Sequence, residues 1–282
     1  MNEGVKILVN SLTVFLVVLF ASLSFGFFVY PNFDFGGESE REPVSEVLSV
    51  VDQQNPYAYE CPDNFPVLKV PTDFPSIQQA IDSATSGVII SVAPGLYNEV
   101  IVLRPNVCLI AEKFGKTEIQ GFSGTVIETS NNTQIKNFLI TSLGKAEKAI
   151  NIVNGQNVNI ESNAFDNFKY GVFVTQDSKV SVNNNVFQNT DVGIFLQESM
   201  FFTQENRIEI SQTGLEILNS EGEILKKTIV GGEYGVKATN SNIFFDKNIF
   251  KNQSLAGMQL CTEGDYEIGH NFFDNTNEEI LH

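Results

Sequence analysis

The sequence predicts an all-β fold, a single-stranded right-handed parallel β-helix. One helix caps its first coil, and a transmembrane helix precedes it at the N-terminus. Three observations lead there. From Ala149 onward one unit of 21 or 22 residues is written six times, with starts at Ala149, Gly171, Gly193, Gly214, Gly235 and Gly257. A fixed step of that size marks a solenoid. Within each unit apolar and polar residues alternate in three short runs, the period of a half-buried strand. The runs are separated by Asn, Ser, Gly and Asp, residues that suit bends and leave no room for a helix.

Three strands and three bends make one coil. Each strand then pairs in parallel with its copy in the next coil, roughly 4.8 Å away. Equivalent positions must stack. Asn163, Asn185, Asn206, Asn248 and Asn271 share one slot, with Lys227 interrupting the series. These side chains are expected to form an internal amide ladder that bonds a bend and its own neighbours. Two residues later Phe165, Phe187, Ile208, Ile229, Phe250 and Phe273 form an apolar stack. A sandwich of hairpins would need recurring turn dipeptides, and Asn154-Gly155 does not recur.

Taken in order, residues 1–30 carry an apolar run from Ile7 to Tyr30 with Lys6 on its N-terminal flank. Roughly 20 apolar residues span a bilayer, and the flanking charges put the rest of the chain outside the cytoplasm. The run continues past the small residues Ser22 and Ser24, which favours an uncleaved anchor over a signal peptide removed on secretion. Residues 31–56, with Gly36-Gly37, Pro43 and an acidic run, read as a flexible linker. The β-helix domain is expected over 57–282. Leu68 to Val70 reads as a strand. Phe74 to Ala84 reads as the capping helix, with Pro75 early and Ile77, Ala80, Ile81 and Ala84 on one face. Gly124 to Ala149 is longer than a unit, so a longer loop is expected there. After Glu279 a new strand starts and no amphipathic cap follows. That predicts end-to-end self-association through an uncapped C-terminal coil.

Composition limits the function. The net charge is −17, and Arg41, Arg104 and Arg207 are the only arginines. Nucleic-acid binding needs clustered Lys and Arg, so none is expected. Three cysteines, Cys61, Cys108 and Cys261, are too few for a disulfide scaffold. A Cys61–Cys108 bridge is open to the chain and leaves Cys261 over.

The segment VPTDFPSIQQAIDSATSGVIISVAPGLYNEVIVLRPNVCLIAE resembles the opening of right-handed parallel β-helices of the pectin-lyase-like superfamily. There a strand, a helix and a Pro-Gly-x-Tyr-x-Glu segment precede the coils. The repeats that follow resemble carbohydrate-binding and sugar-hydrolase repeats, which also occur in periplasmic copper-binding maturation factors. The resemblance spans residues 67–282 and implies the fold. It implies little about activity, because the superfamily hosts many functions.

The catalytic motifs of that superfamily are incomplete here. Arg207 has no Asp cluster beside it as a lyase base would. Thr175-Gln176-Asp177-Ser178 matches an esterase motif poorly. Asn189-Thr190-Asp191 and Gly269-His270-Asn271 match parts of polygalacturonase motifs whose other parts are missing. No His or Cys spacing repeats, so neither a metal site nor a cofactor is expected, and His270 lacks a partner set. Asp177 and Glu198 share a slot in adjacent units. They are the weak catalytic candidates, since retaining glycosidases hold two carboxyl groups about 5–5.5 Å apart. Both sit in a Gln-acid-Ser bend, and a solvated bend is the preferred reading of the pair.

The outward slots carry more. On the first strand of each unit these are Asn151, Phe173, Phe195, Glu216, Lys237 and Gln259. On the second they include Asn159, Ser181, Phe202, Glu223, Phe244 and Glu267. Stacked outer aromatics beside amides and carboxylates suit a polysaccharide, unless a loop or partner covers them. The expectation is a membrane-anchored, extracytoplasmic module that binds polysaccharide or serves as a surface scaffold. A polysaccharide-degrading enzyme and a periplasmic maturation or docking factor are the alternatives.

Overall fold

The structure, a computed structural model, describes residues 55–282 apart from 86, 145 and 262. The expected anchor and most of the linker lie outside the described residues. Among the described residues no helix is long and apolar enough to cross a membrane. The chain winds as a parallel β-solenoid. In each coil one strand joins a ten-stranded sheet and the others join two rows of a sixteen-stranded sheet. The strands Val186–Gln197 and Arg207–Leu218 run through both rows without a break.

The predicted stacking is present in register. Phe165 lies beside Phe187, then Ile208, Ile229, Phe250 and Phe273. The Phe165 and Phe187 rings stack with centroids 4.7 Å apart. Strand spacing and ring-stacking distance nearly coincide, so identical aromatics on adjacent coils pack face to face. This stack explains the glycine that opens five of the six units. A Cβ on Gly193 would lie 2.7 Å from the Gly214 oxygen and 2.9 Å from Ile208 Cγ2. At that contact a residue without Cβ lets one coil settle onto the next.

The Asn ladder also forms. Asn185 Oδ1 accepts from the N–H of Asn163 at 2.9 Å, while Asn185 Nδ2 donates to the Ile160 oxygen at 2.9 Å. Asn206 Oδ1 accepts from the Asn185 N–H at 2.9 Å. Each amide thereby satisfies bend groups in its own and neighbouring coils, all away from water. Asn248 Oδ1 accepts from the Lys227 N–H at 3.0 Å, so the ladder resumes beyond the interruption.

The capping helix is shorter than the sequence pattern predicts, Ile77–Ser83. Ser76 is its N-cap, with Oγ accepting from Gln79 N–H, so Pro75 stands outside the helix. The Glu99 carboxylate accepts from Ile77 N–H at 3.0 Å and Gln78 N–H at 2.9 Å. The Glu of the Pro-Gly-x-Tyr-x-Glu segment therefore caps a helix whose bonded residues lie 21 and 22 positions back in the chain, neutralising donors the first turn cannot pair.

Cys61 and Cys108 form a disulfide, leaving Cys261 free. The bridge pins the segment Asn55–Phe65, which forms no strand, against the outer face of the ten-stranded sheet.

Lys227 is fully buried, and its Nζ has no hydrogen-bond partner. Burial holds its amine well below the ordinary value of 10.5, with Glu205 opposing weakly. Between the lowered value and 10.5 the unfolded chain binds a proton that the folded chain does not. Stability should therefore rise with pH through that window and level off above it. Lys227→Asn should restore the missing rung, raise stability by about 1–3 kcal/mol, and flatten the pH dependence. Urea unfolding of both chains from about pH 7 to about pH 10 checks this.

Candidate functional site

Asn151, Phe173, Phe195, Glu216, Lys237 and Gln259 form one continuous outer ladder, each paired with the next. The Phe173 and Phe195 rings stack 4.6 Å apart at 6°. Lys148, from the preceding coil, holds its Nζ 4.0 Å from the Phe173 centroid. Tyr170 meets both rings edge-on, at 5.0 and 5.7 Å. Phe195 is only 8% exposed. The Phe173 faces are thus occupied, by Lys148 on one side and Phe195 on the other. The row turns ring edges outward rather than the open faces that a flat sugar-stacking platform needs. The cause is the stacking distance itself, which rewards ring-on-ring packing along the coil axis.

The polar members of the ladder are partly satisfied. Asn151 Nδ2 donates to Glu128 Oε2 at 2.7 Å. Its Oδ1 and the Oε1 of Gln259 are buried without a partner. Lys237 Nζ lies 5.7 Å from the Tyr234 ring centroid. Sequence reasoning missed Lys148, Tyr170 and Tyr234. They lie in one register slot, three residues before the outward slot. The small residue between the two slots breaks the simple alternation, and the recurring three-residue offset was the available signal.

Asp177 and Glu198 do come together. Asp177 N–H donates to the Glu198 carbonyl at 2.7 Å. Both line a cleft of roughly 430 Å³ with Lys179, Met200, Asn219 and Asn240. Both adopt positive φ, 53° and 51°, as do Asn219 and Asn240 in the next coils. The slot is a left-handed bend that Asn fills elsewhere, which explains the position of the acids without chemistry. Below them Ser199 N–H donates to Ser220 Oγ at 3.2 Å and Ser220 N–H to Ser241 Oγ at 3.1 Å. This serine ladder makes the cleft floor rigid.

The second set of outward slots is also in register, from Asn159 through Ser181, Phe202, Glu223 and Phe244 to Glu267. Here the segment Asn55–Phe65 covers the first coils. Asn55 Nδ2 donates to Ser181 Oγ at 2.5 Å, and Asn159 Nδ2 donates to the Tyr59 oxygen at 3.3 Å. Next to Phe202, Glu223 shares a pocket with Pro56 and Tyr57 of this segment; it is half-buried, and burial raises its carboxyl above the ordinary range.

Comparison with known proteins follows from this geometry. The model of the NosD family, described as periplasmic copper-binding protein, matches residues 112–280, more than half of the chain. The chain belongs to the NosD family. No curated protein matches it. A pectate lyase variant from Xanthomonas campestris superposes with a TM-score of 0.54 at 12% identity, over 77% of this chain and 80% of the lyase. A pectin methylesterase from Aspergillus niger gives 0.39 at 13%, over 79% and 88%. The A-module of a mannuronan C-5 epimerase from Azotobacter vinelandii gives 0.34 at 13%, over 73% and 92%. The lyase superposition supports the pectin-lyase-like fold and nothing about activity. The family's periplasmic description agrees with the Cys61–Cys108 disulfide, which belongs to an oxidising compartment.

The family's copper does not fit the donors of this chain. Copper takes imidazole, thiolate and thioether ligands gathered in one place. Two of the three cysteines are tied in the disulfide. Met258 is buried in the core, and Met200 lies in the bend cleft. The His270 side chain is 99% exposed beside Asp246 alone, 3.7 Å away. Among the described residues no three His, Cys, Asp or Glu side chains form a group that could hold a metal. The chain is therefore expected to emerge from gel filtration after incubation with copper carrying no stoichiometric metal, measured by elemental mass spectrometry. A stable equivalent of copper lost on His270→Ala or Cys261→Ser would contradict that.

Proposed function

We propose that this chain is an extracytoplasmic, membrane-tethered, right-handed β-helix module that binds polysaccharide along its outer ladder from Asn151 to Gln259. The handedness follows the rule for parallel crossovers. The tether is the apolar run from Ile7 to Tyr30. The observation that carries the reading is the unbroken register of that ladder over six coils. A polymer meets repeated donors, acceptors and ring edges at one spacing, so weak contacts add along its length. Ring edges carry the positive rim of the aromatic quadrupole and suit oxygen acceptors. Lys148, Asn151, Lys237 and Gln259 add donors.

A catalytic reading has one specific support, the placement of Asp177 and Glu198 in the bend cleft. Membership in the NosD family supports docking to a partner, and that role would use the same outer faces.

A polysaccharide array probed with the purified chain tests the binding reading. Phe173→Ala should weaken the retained polymer about tenfold, the equivalent of 1.4 kcal/mol, without lowering the unfolding midpoint below the assay temperature. Loss of affinity on Asp177→Asn and Glu198→Gln, with product release by the parent chain, would replace binding by catalysis. No retention of any polymer would remove the reading.

A further inference from the structure

The outer face of the ten-stranded sheet carries a second ladder that the chain itself covers. Under the strap Asn55–Phe65 the exposures of Gln134, Asn159, Ser181 and Phe202 are 3%, 2%, 0% and 3%. Further along the same ladder, where Pro56 and Tyr57 of the strap line a pocket with Glu223 and Phe244, these two are half-buried, and Glu267 is exposed. Burial is thus deepest where the strap is hydrogen-bonded to the ladder and falls away along it.

The strap is a poor fit to what it covers. It forms no strand and adds no ladder of backbone bonds to the sheet. Its polar contacts with the ladder include the bonds Asn55 to Ser181 and Asn159 to the Tyr59 oxygen, and Cys61 Sγ lies 3.0 Å from Gln134 Oε1. Asn159 is almost wholly buried, yet its Oδ1 receives no hydrogen bond. A buried acceptor without a donor forfeits its hydration and gains no bond in return. What fixes the strap is covalent. Cys61 is bonded to Cys108, which occupies the same ladder one coil before Gln134.

We propose that the Gln134–Asn159–Ser181–Phe202 ladder is a second binding track for a hydroxyl-bearing polymer, and that the strap is its built-in occupant, held shut by the Cys61–Cys108 bond. Hydroxyl groups supply the donor that Asn159 Oδ1 lacks and accept from Gln134 and Asn159 amides. Phe202 closes the end of the track with apolar surface. Only the class of ligand rests on the polysaccharide reading. The latch stands on the burial contrast and the disulfide.

The test compares the full chain with its Cys61→Ser/Cys108→Ser form. Chymotrypsin cleavage after Tyr57 and Tyr59, mapped by mass spectrometry, reports strap release. Retention on the polysaccharide array reports the track. The serine form should be cut at these tyrosines at least tenfold faster and should retain more polymer, and Asn159→Leu should abolish the added retention. Equal cleavage rates in the two forms would overturn the latch. Faster cleavage without added retention would overturn the track. If the serine form does not fold, the wild-type chain with its bridge reduced by a phosphine under native conditions supplies the same comparison. A failure of the Phe173 face to bind polymer leaves the cleavage result unaffected, so the two readings fail separately.

Discussion

Every feature of this protein depends on one constraint, that equal positions of successive coils lie one strand spacing apart. The backbone sets that distance through parallel pairing. Side chains must then be able to live beside copies of themselves. Asn can, because its amide donates and accepts, so Asn163, Asn185 and Asn206 bond in series. Phe can, because rings stack at nearly the same distance, as Phe165 and Phe187 do. Lysine cannot, and Lys227 is left with an unpartnered amine inside the core. Glycine is demanded where the coils meet most closely, beside the aromatic stack.

The same constraint decides how much could be read from the sequence. Core slots repeat, so the period alone places Asn185 over Asn206 and Phe165 over Phe187. The outer ladder from Asn151 to Gln259 was legible for the same reason. What was not legible depends on contacts outside the repeat. The start of the capping helix is fixed by Ser76 and by Glu99, a residue beyond the helix in the chain. The attitude of Phe173 depends on Lys148 and Tyr170, in a slot offset from the alternation. The strap belongs to no unit, and its position follows from a disulfide that the cysteine count left open.

Function separates from fold at this point. The solenoid supplies flat, periodic outer faces, and a cleft of roughly 430 Å³ lies along a bend that carries Asp177 and Glu198. The family is described by copper, yet the soft donors among the described residues do not gather into a site. The residues that vary between coils, rather than those that repeat, set the chemistry of the outer faces. In this chain they are the Phe173–Phe195 pair, the lysines beside them, and the polar ladder beneath the strap.

Pulsed electron resonance between spin labels placed at Asn151 and Gln259 tests the stacking most directly. Five coil steps of roughly 4.8 Å predict a mean separation near 24 Å, and moving the first label to Phe195 should shorten it by about 10 Å. Separations that do not shrink with the number of coils removed would contradict the account.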